Sequence, residues 1–584
     1  MINKSVPNQP MLFDVNEFKM HPKAYDRLRS GWQGLFRETI LQLMPVEGIE
    51  DGFSETTGQP TKELYSMCGL VFIMEFMDWT IDEAVDAYIY RTDIQYALNL
   101  DSTDIYLSER TVYRYKALLV ENELAGQIMQ DVTKTLVEML GIKIDKQRLD
   151  STHIESDMAT FGRTQLLTTA IKRFLAQLNR HNKLAYESLD AELRRRYEKS
   201  PYQLFGGKKR TDDDKRLLRQ QIIQDIYDLI TQFADTESHR SSYKDLVLIF
   251  DQQCEILPAE GDEESFAIEL KKSPGGEVIC NPSDPDATYD GKKGAGYQAQ
   301  LSETCSDEND VQLITSCIPQ TACESDAGAV EMVVEDLKKN ELLPDELSAD
   351  TAYGSDENQQ RCEEEGVELV SPVPGKRPED ADGVNSADFE MGEDGEVLSC
   401  PMCQPPIMST TGKTSNGDGV TLSIMDESRC RECLHRENCP VKQDSKGRHS
   451  FEFTDKQRRL AVRRRNEETD EFRDRYRIRS GIEATNSSIK RVTGLARLRV
   501  RGKASVFHAI LLKVAGWNIL QAARALRLRG RALNGQDASN RGILHAVLSP
   551  YFTTRLAQNG SASLFKASPP LSKNHPSLFP NLAN

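Results

Sequence analysis

The stretch GIKIDKQRLDSTHIES, residues 141–156, is where this chain changes character. Before it, apolar side chains recur at near-helical spacing, as in KELYSMCGLVFIMEFM (62–77). Inside it, Ile142, Ile144 and Leu149 give the alternation of a strand, which the pattern predicts to end near Asp150. The first 140 residues read as helical. Thr80, followed three residues later by Glu83, predicts a capping box in DWTIDEAVDAYIY (78–90). Ser108 predicts a second cap, before the basic amphipathic helix of LSERTVYRYKALLVEN (107–122) with Arg110, Arg114 and Lys116. Two short helices with a basic second one resemble a helix-turn-helix, although ordinary helical hairpins share the pattern.

Working outward on the other side, residues 160–245 return to charged helical sequence and interrupt the strands, so they read as an insertion. Strands resume from residue 284. DPDATYDGKKGAGYQAQLSET (284–304) is a turn followed by a strand, and VQLITSCIP (311–319) is another. AGAVEMVVEDLKKN (327–340) is an amphipathic helix. DELSADTAYGS (345–355) is a strand ending at Asp350, DENQQRCEEEG (356–366) a helix, and VELVSPVPG (367–375) a last short strand. Strands mixed with helices in this order predict an α/β unit with a mixed sheet. Residues 376–396 read as a loop, and the tail from 556 as disordered.

Charge is unevenly spread. The net charge of −18 argues against a polyanionic partner, yet residues 456–532 hold 21 Lys and Arg against six Asp and Glu, whereas residues 301–400 hold five against 27. Such asymmetry points to a polyanion-binding region beside an acidic one, or to two solvated faces. No run of eighteen apolar residues is present, so no membrane span is expected, and the first residues lack the apolar core of a secretory signal. The protein is therefore read as intracellular, and its twelve cysteines as thiols or metal ligands.

Three acids stand out. Asp150 and Asp350 each close a predicted strand, and Glu483 lies alone among bases in YRIRSGIEATNSSIKR (476–491). Neighbouring cations keep such a carboxylate ionised. At helical spacing Arg479, Glu483 and Lys490 share one face with Tyr476. By itself that stripe equally describes a surface salt-bridge ladder. Hard divalent cations take oxygen ligands, and two of them can serve phosphodiester chemistry. His153, three residues past Asp150, is a ligand, a base or a polar neighbour.

Tyr476, Arg479, Glu483 and Lys490 match the Y-x2-R-x3-E-x6-K pattern, and with LDSTHI around Asp150 and ADTAYGS around Asp350 the chain resembles the DDE transposases of bacterial insertion sequences. The resemblance runs from about residue 10 to 525 and is looser before 140. It implies an RNase H-like mixed sheet with flanking helices. It implies that Asp150, Asp350 and Glu483 hold two Mg²⁺ or Mn²⁺ ions, with Tyr476, Arg479 and Lys490 on DNA phosphates. It also implies cleavage at transposon ends, joining of 3′-hydroxyls to target DNA, and a homodimer that bridges two double-stranded ends in the bacterial cytoplasm, on the nucleoid. A metal-dependent nuclease without strand transfer and a non-catalytic DNA-binding derivative are the rivals.

Two further signals lie in the same region. Cys400 and Cys403 (C-x2-C) and Cys430, Cys433 and Cys439 (C-x2-C-x5-C) suit a zinc ribbon with structural Zn²⁺, five thiols competing for four places, or else a reduced metal-free cluster. Arg497, Arg499 and Arg501 alternate as on an extended segment and are expected on DNA phosphates or in solvent. The helix after them is expected to bury Val506, Ile510, Leu511, Val514, Trp517 and Ile519. The predicted organisation is a helical DNA-binding domain at 1–140, a catalytic domain at 141–530 with insertions at 160–245 (helical) and 395–445 (cysteine-rich), and a tail at 531–584.

Overall fold

Lys146–Ile154 forms the central strand of a mixed sheet in the computed structural model, which describes residues 2–5, 20–54, 56–100, 105–159, 161–198, 211–258, 266–375, 384–414, 417–444 and 447–534. The tail expected to be disordered and part of the 376–396 loop lie outside these residues. Two compact units are present, Met1–Ala525 and Leu526–Asn584. Of the second, only the end of the helix Lys503–Asn534 is described.

In chain order the strands through residue 370 are β1 (Lys146–Ile154), the hairpin β2 (Cys254–Pro258) and β3 (Phe266–Leu270), β4 (Thr288–Asp290), β5 (Gly294–Thr304), β6 (Ile314–Thr321), β7 (Glu346–Ala349) and β8 (Glu368–Val370). The main sheet runs β6-β5-β1-β7-β8, with β4 folded back on the start of β5. β6, β5 and β1 pair antiparallel; β1, β7 and β8 pair parallel. The parallel connection from β6 to β7 passes through the helix Asp326–Lys339, whose Ala329, Val330, Val333, Val334 and Leu337 are buried. Buried polar side chains of the sheet satisfy one another: the Gln147 carbonyl accepts from Ser302 and Thr315, and Gln300 donates to Gln320 and Asp326.

The strand around Asp150 does not end there, and the two neighbours of β1 explain why. β5 pairs with it from Gln147↔Thr304 to Ile154↔Tyr297, but β7 pairs only from Lys146↔Glu346 to Leu149↔Ala349. Asp150 is thus mid-strand on one side and the first residue past the ladder on the other.

The helical layer ahead of the sheet is built on Leu64–Phe76, buried along nearly its whole length and capped by the Glu63 carboxylate on the N–H groups of Tyr65 and Ser66. Trp32, Phe36, Phe72 and Phe76 pack edge-on around it. The Thr80–Glu83 capping box and the Ser108 cap both form. Of the bases on Glu109–Glu121, Lys116 turns inward to Glu75 at 2.6 Å and Arg114 donates to the Gly52 carbonyl while stacking on Phe53, leaving Arg110 exposed.

Between β1 and β4, the helices Arg163–His181, Asp212–Glu237 and Ser241–Gln253 share a core of their own that includes Phe174, Ile222, Ile226, Leu246 and Ile249 and reaches Ile279. After β8 come β9 (Glu390–Met391), β10 (Val397–Ser399) and a four-stranded sheet of β11 (Met408–Lys413), β12 (Gly419–Met425), β13 (Lys442–Gln443) and β14 (His449–Thr454). Phe389, Val397, Met425, Val441, Phe451 and Phe453 form the core there.

The helix that begins at Lys503 buries Val506, Ile510, Val514, Trp517 and Ile519 as expected, but Leu512 where Leu511 was expected; Leu511 is partly exposed. By length and composition it is also apolar enough to cross a membrane, a test that the core helix of a globular protein passes too. In this fold 78% of its apolar window is buried. It carries a buried cation, Lys513, which donates to the Glu75 and Thr493 carbonyls and to Asp78.

Candidate active site

Parallel register places the first two acids. Leu149 and Ala349 are the last partners of β1 and β7, so Asp150 and Asp350 follow side by side where the two strands part. The carboxyl ends of parallel strands are where α/β sheets present ligands. Asp350 caps a 3₁₀ turn, Thr351–Tyr353, accepting from the Ala352 N–H at 2.8 Å. Its carbonyl accepts from the Ser371 hydroxyl at 2.6 Å, which ties the loop after β8 to the same end.

Burial pushes the Asp150 carboxyl up to about 6; Arg479 and the Ser151 N–H oppose the shift, while Asp350 and Asp326 add to it. Asp326 was not singled out from the sequence, and nothing in its spacing marks it. It is brought in by the first turn of its helix and is held by Gln300 and by Lys293 at 3.3 Å.

The third acid arrives on a broken helix. YRIRSGIEATNSSIKR has helical spacing but is not one helix: it comprises the end of Asp470–Arg477, a 3₁₀ turn Ile478–Ser480, and the helix Gly481–Thr493. The break lies where Arg148 reaches in from β1: its Nη1 donates to the Ile478 carbonyl at 3.1 Å, and a Cβ at Gly481 would overlap that nitrogen. Across the 3₁₀ turn, Arg479 still pairs with Glu483 at 2.9 Å. The pair is lopsided, with Arg479 14% and Glu483 65% exposed at the side chain. Asn486, one turn beyond Glu483, donates to Asp150 at 3.2 Å. That contact turns the Glu483 face of the helix towards the two aspartates. The i, i+3 spacing of Glu483 and Asn486 was the signal that could have found it.

Tyr476 lies half-buried on this cluster, its ring stacked on Phe472 at 5.8 Å. Burial pushes its hydroxyl pKa up, with Asp350, Asp150 and Glu483 adding and Arg479 opposing, so the phenol stays protonated at neutral pH. Lys490 is pushed down by burial and by Lys293, with Asp150 opposing. His153 is pushed down by burial and by Lys490, and its Nδ1 is buried without a hydrogen-bond partner. Lys293, also missed, donates to the Ser151 hydroxyl at 2.8 Å, next to Asp150.

Among the described residues, no group of three or more His, Cys, Asp or Glu side chains is arranged to hold a metal ion as it stands. Arg479 is the counter-charge of the exposed Glu483 carboxylate. Asp150 and Asp350 remain crowded together, one of them buried enough to resist ionisation, and a hard divalent cation relieves both conditions. The donor set fits such an ion.

Cys400, Cys430 and Cys439 lean on the core under β9–β14 and Cys403 is exposed; burial pushes the Cys430 and Cys439 thiols up, and the neighbouring thiols, Cys400 and Cys433 among them, add to the shift.

Of the three alternating arginines, Arg499 pairs with Asp78 at 3.3 Å and Arg501 with Asp157 at 2.9 Å, both half-exposed, while Arg497 is exposed on a bridge to Glu155.

Residues 399–523 match the sequence model of a family described as the transposase DDE domain. The match holds Tyr476, Arg479, Glu483, Lys490, the three arginines and the five cysteines, and leaves Asp150 and Asp350 outside. No curated protein matches the chain. A domain of this kind implies an enzyme that acts on DNA. Over this segment the chain resembles the DDE transposases.

Proposed function

We propose that the protein is a DNA transposase with an RNase H-like catalytic core, which cleaves transposon ends and joins the freed 3′-hydroxyls to target DNA. The observation that carries this reading is the register of β1 and β7, which sets Asp150 beside Asp350 while Asn486 turns the Glu483 helix onto them. The strand order β6-β5-β1-β7-β8, three antiparallel then three parallel with β1 shared, supports the RNase H-like assignment. The family match supports the third acid and its basic companions.

Asp150, Asp350 and Glu483 would hold Mg²⁺ or Mn²⁺. Bound divalent cations supply Lewis-acid polarisation of the phosphodiester and a more acidic water. The protein's own groups do the rest. Arg479, mostly buried, offers its fork to a phosphate once Glu483 is drawn inward. Tyr476 holds a phenolic proton at the mouth of the site as a hydrogen-bond donor. Lys490 faces the same side from two turns further along. Arg497, Arg499 and Arg501 line the exposed segment that follows, where phosphates exchange with the Asp78 and Asp157 carboxylates. A dimer holds the two ends together.

The test is incubation of the protein with its flanking inverted repeats, a target duplex and Mg²⁺, followed by sequencing of the products. Cleaved and joined ends support a transposase. Cleaved but unjoined ends make it a nuclease, and binding without cleavage makes it a non-catalytic derivative.

A further inference from the structure

The register of two strands places Asp150 and Asp350, but Glu483 comes from a helix more than 130 residues further along, with the cysteine-rich segment between. Something else must set that helix against the sheet. Arg148 stands two residues before Asp150, so it shares its face of β1. Its Nε donates to Glu303 Oε2 at 2.8 Å and its Nη2 lies 2.7 Å from the same oxygen, with side chains 12% and 3% exposed. Glu303 is the residue of β5 directly opposite Arg148 in the ladder.

Each partner then grips the segment around Glu483 once, Arg148 at the 3₁₀ turn before the helix and Glu303 on the helix itself. Arg148 Nη1 donates to the Ile478 carbonyl, and Thr485 Oγ1 donates to Glu303 Oε1 at 2.8 Å. The two grips lie five residues before Glu483 and two after it. Gly481 falls between them and leaves the space that the guanidinium occupies. A buried ion pair is poor evidence of added stability, because apolar residues of like volume often do as well; fixing one register is its better-attested use.

We infer that Arg148, with Glu303, is a positioning residue that sets the height and rotation of the helix Gly481–Thr493, and so the reach of Glu483 to the metal held by Asp150 and Asp350. The inference rests on the metal-site reading above. It predicts a defect in metal use rather than in DNA binding or folding.

The experiment uses the full chain. Mg²⁺ titrations of cleavage, Mn²⁺ binding followed by electron paramagnetic resonance, metal-free binding to inverted-repeat DNA, and melting curves are measured for Arg148→Lys, Thr485→Val, Thr485→Ser and Glu483→Gln. Arg148→Lys keeps the charge but loses the fork and should raise the half-saturating Mg²⁺ concentration about tenfold, the lower range for loss of a supporting contact at a metal site. Thr485→Val should raise it about threefold, as for one hydrogen bond, and Thr485→Ser should restore it. Mn²⁺ affinity should fall in parallel, with metal-free DNA affinity unchanged.

Wild-type metal dependence and Mn²⁺ affinity in both Arg148→Lys and Thr485→Val would overturn the inference. If Arg148→Lys does not fold, Thr485→Val against Thr485→Ser decides alone. Full cleavage by Glu483→Gln overturns the metal-site reading itself and this inference with it, a result distinct from the first.

Discussion

Asp150→Asn should destroy cleavage and make the metal-free protein more stable. In the folded chain the Asp150 carboxyl is pushed up to about 6 from its ordinary 3.8, chiefly by burial, with Asp350 and Asp326 adding. The sign follows from linkage. A group whose folded pKa lies above its unfolded value favours folding while protonated, so this contribution is full below 3.8 and is lost as pH rises through 6. A shift of about two units corresponds to roughly 3 kcal/mol at pH 7–8, and residual solvent and coupling to Asp350 reduce this to about 1–3 kcal/mol. Asparagine removes the charge while keeping an oxygen for the Asn486 amide.

The assay is thermal and urea unfolding in EDTA at pH 5 and 8, repeated with Mg²⁺. A chain of this length need not unfold in two states, so each variant is compared with wild type under one condition. Wild type should gain on going from pH 8 to pH 5 relative to the variant, and Mg²⁺ at pH 8 should stabilise wild type alone. A variant less stable than wild type at pH 8 in EDTA, or one equally stabilised by Mg²⁺, would refute the reasoning.

Glu483→Gln should abolish metal-dependent cleavage while affinity for the ends is kept or raised, since the exposed carboxylate makes no phosphate contact and its loss frees Arg479; filter binding and gel assays decide it. Arg499→Ala and Arg501→Ala should each weaken DNA binding and lower the slope of log K against log salt by about one, with little change in melting because exposed pairs are worth about 0–1 kcal/mol. Gly494→Ala should destabilise the chain by about 1 kcal/mol or more: φ there is +69°, and a Cβ would come 2.5 Å from the Asp78 carboxyl, so lower melting temperature with unchanged metal affinity is expected.

Much of this architecture could be read along the sequence because it is local. The period-two stretches became β1, β5, β6, β7 and β8, and the Thr80 and Ser108 caps formed where Ser/Thr chemistry predicts. What could not be read is what depends on a second segment. Asp150 was placed at a strand end because no single sequence shows that β5 continues where β7 stops. The helix was drawn unbroken because Arg148, more than 300 residues earlier, is what occupies the space at Gly481. The basic helix carrying Arg114 and Lys116 has the pattern of a helix-turn-helix because basic residues on an amphipathic helix look alike whether they face solvent or, like Lys116, a buried Glu75. Asp326 and Lys293 had no motif to announce them and enter only because the sheet brings their turns beside Asp150.

The same distinction bears on why one acid stands among so many bases. In sequence Glu483 looks surrounded by cations of equal rank, but the fold ranks them. Arg479 is mostly buried and engaged. Lys490 is half-buried and within electrostatic reach of Asp150 and Lys293. Arg499 and Arg501 are half-exposed and held by other acids. On the proposed reading, a cation between Asp150 and Asp350 would compete with Arg479 for Glu483, and a DNA phosphate at Arg479 would compete with Glu483 for its guanidinium. Each ligand removes what holds the other's partner away, so metal and DNA should bind with positive coupling, and by linkage the coupling must be equal in both directions. Mn²⁺ affinity measured with and without inverted-repeat DNA, in wild type and in Arg479→Gln, tests this: the gain on adding DNA should shrink in the variant, and a gain of undiminished size would show that Arg479 is no switch between the two.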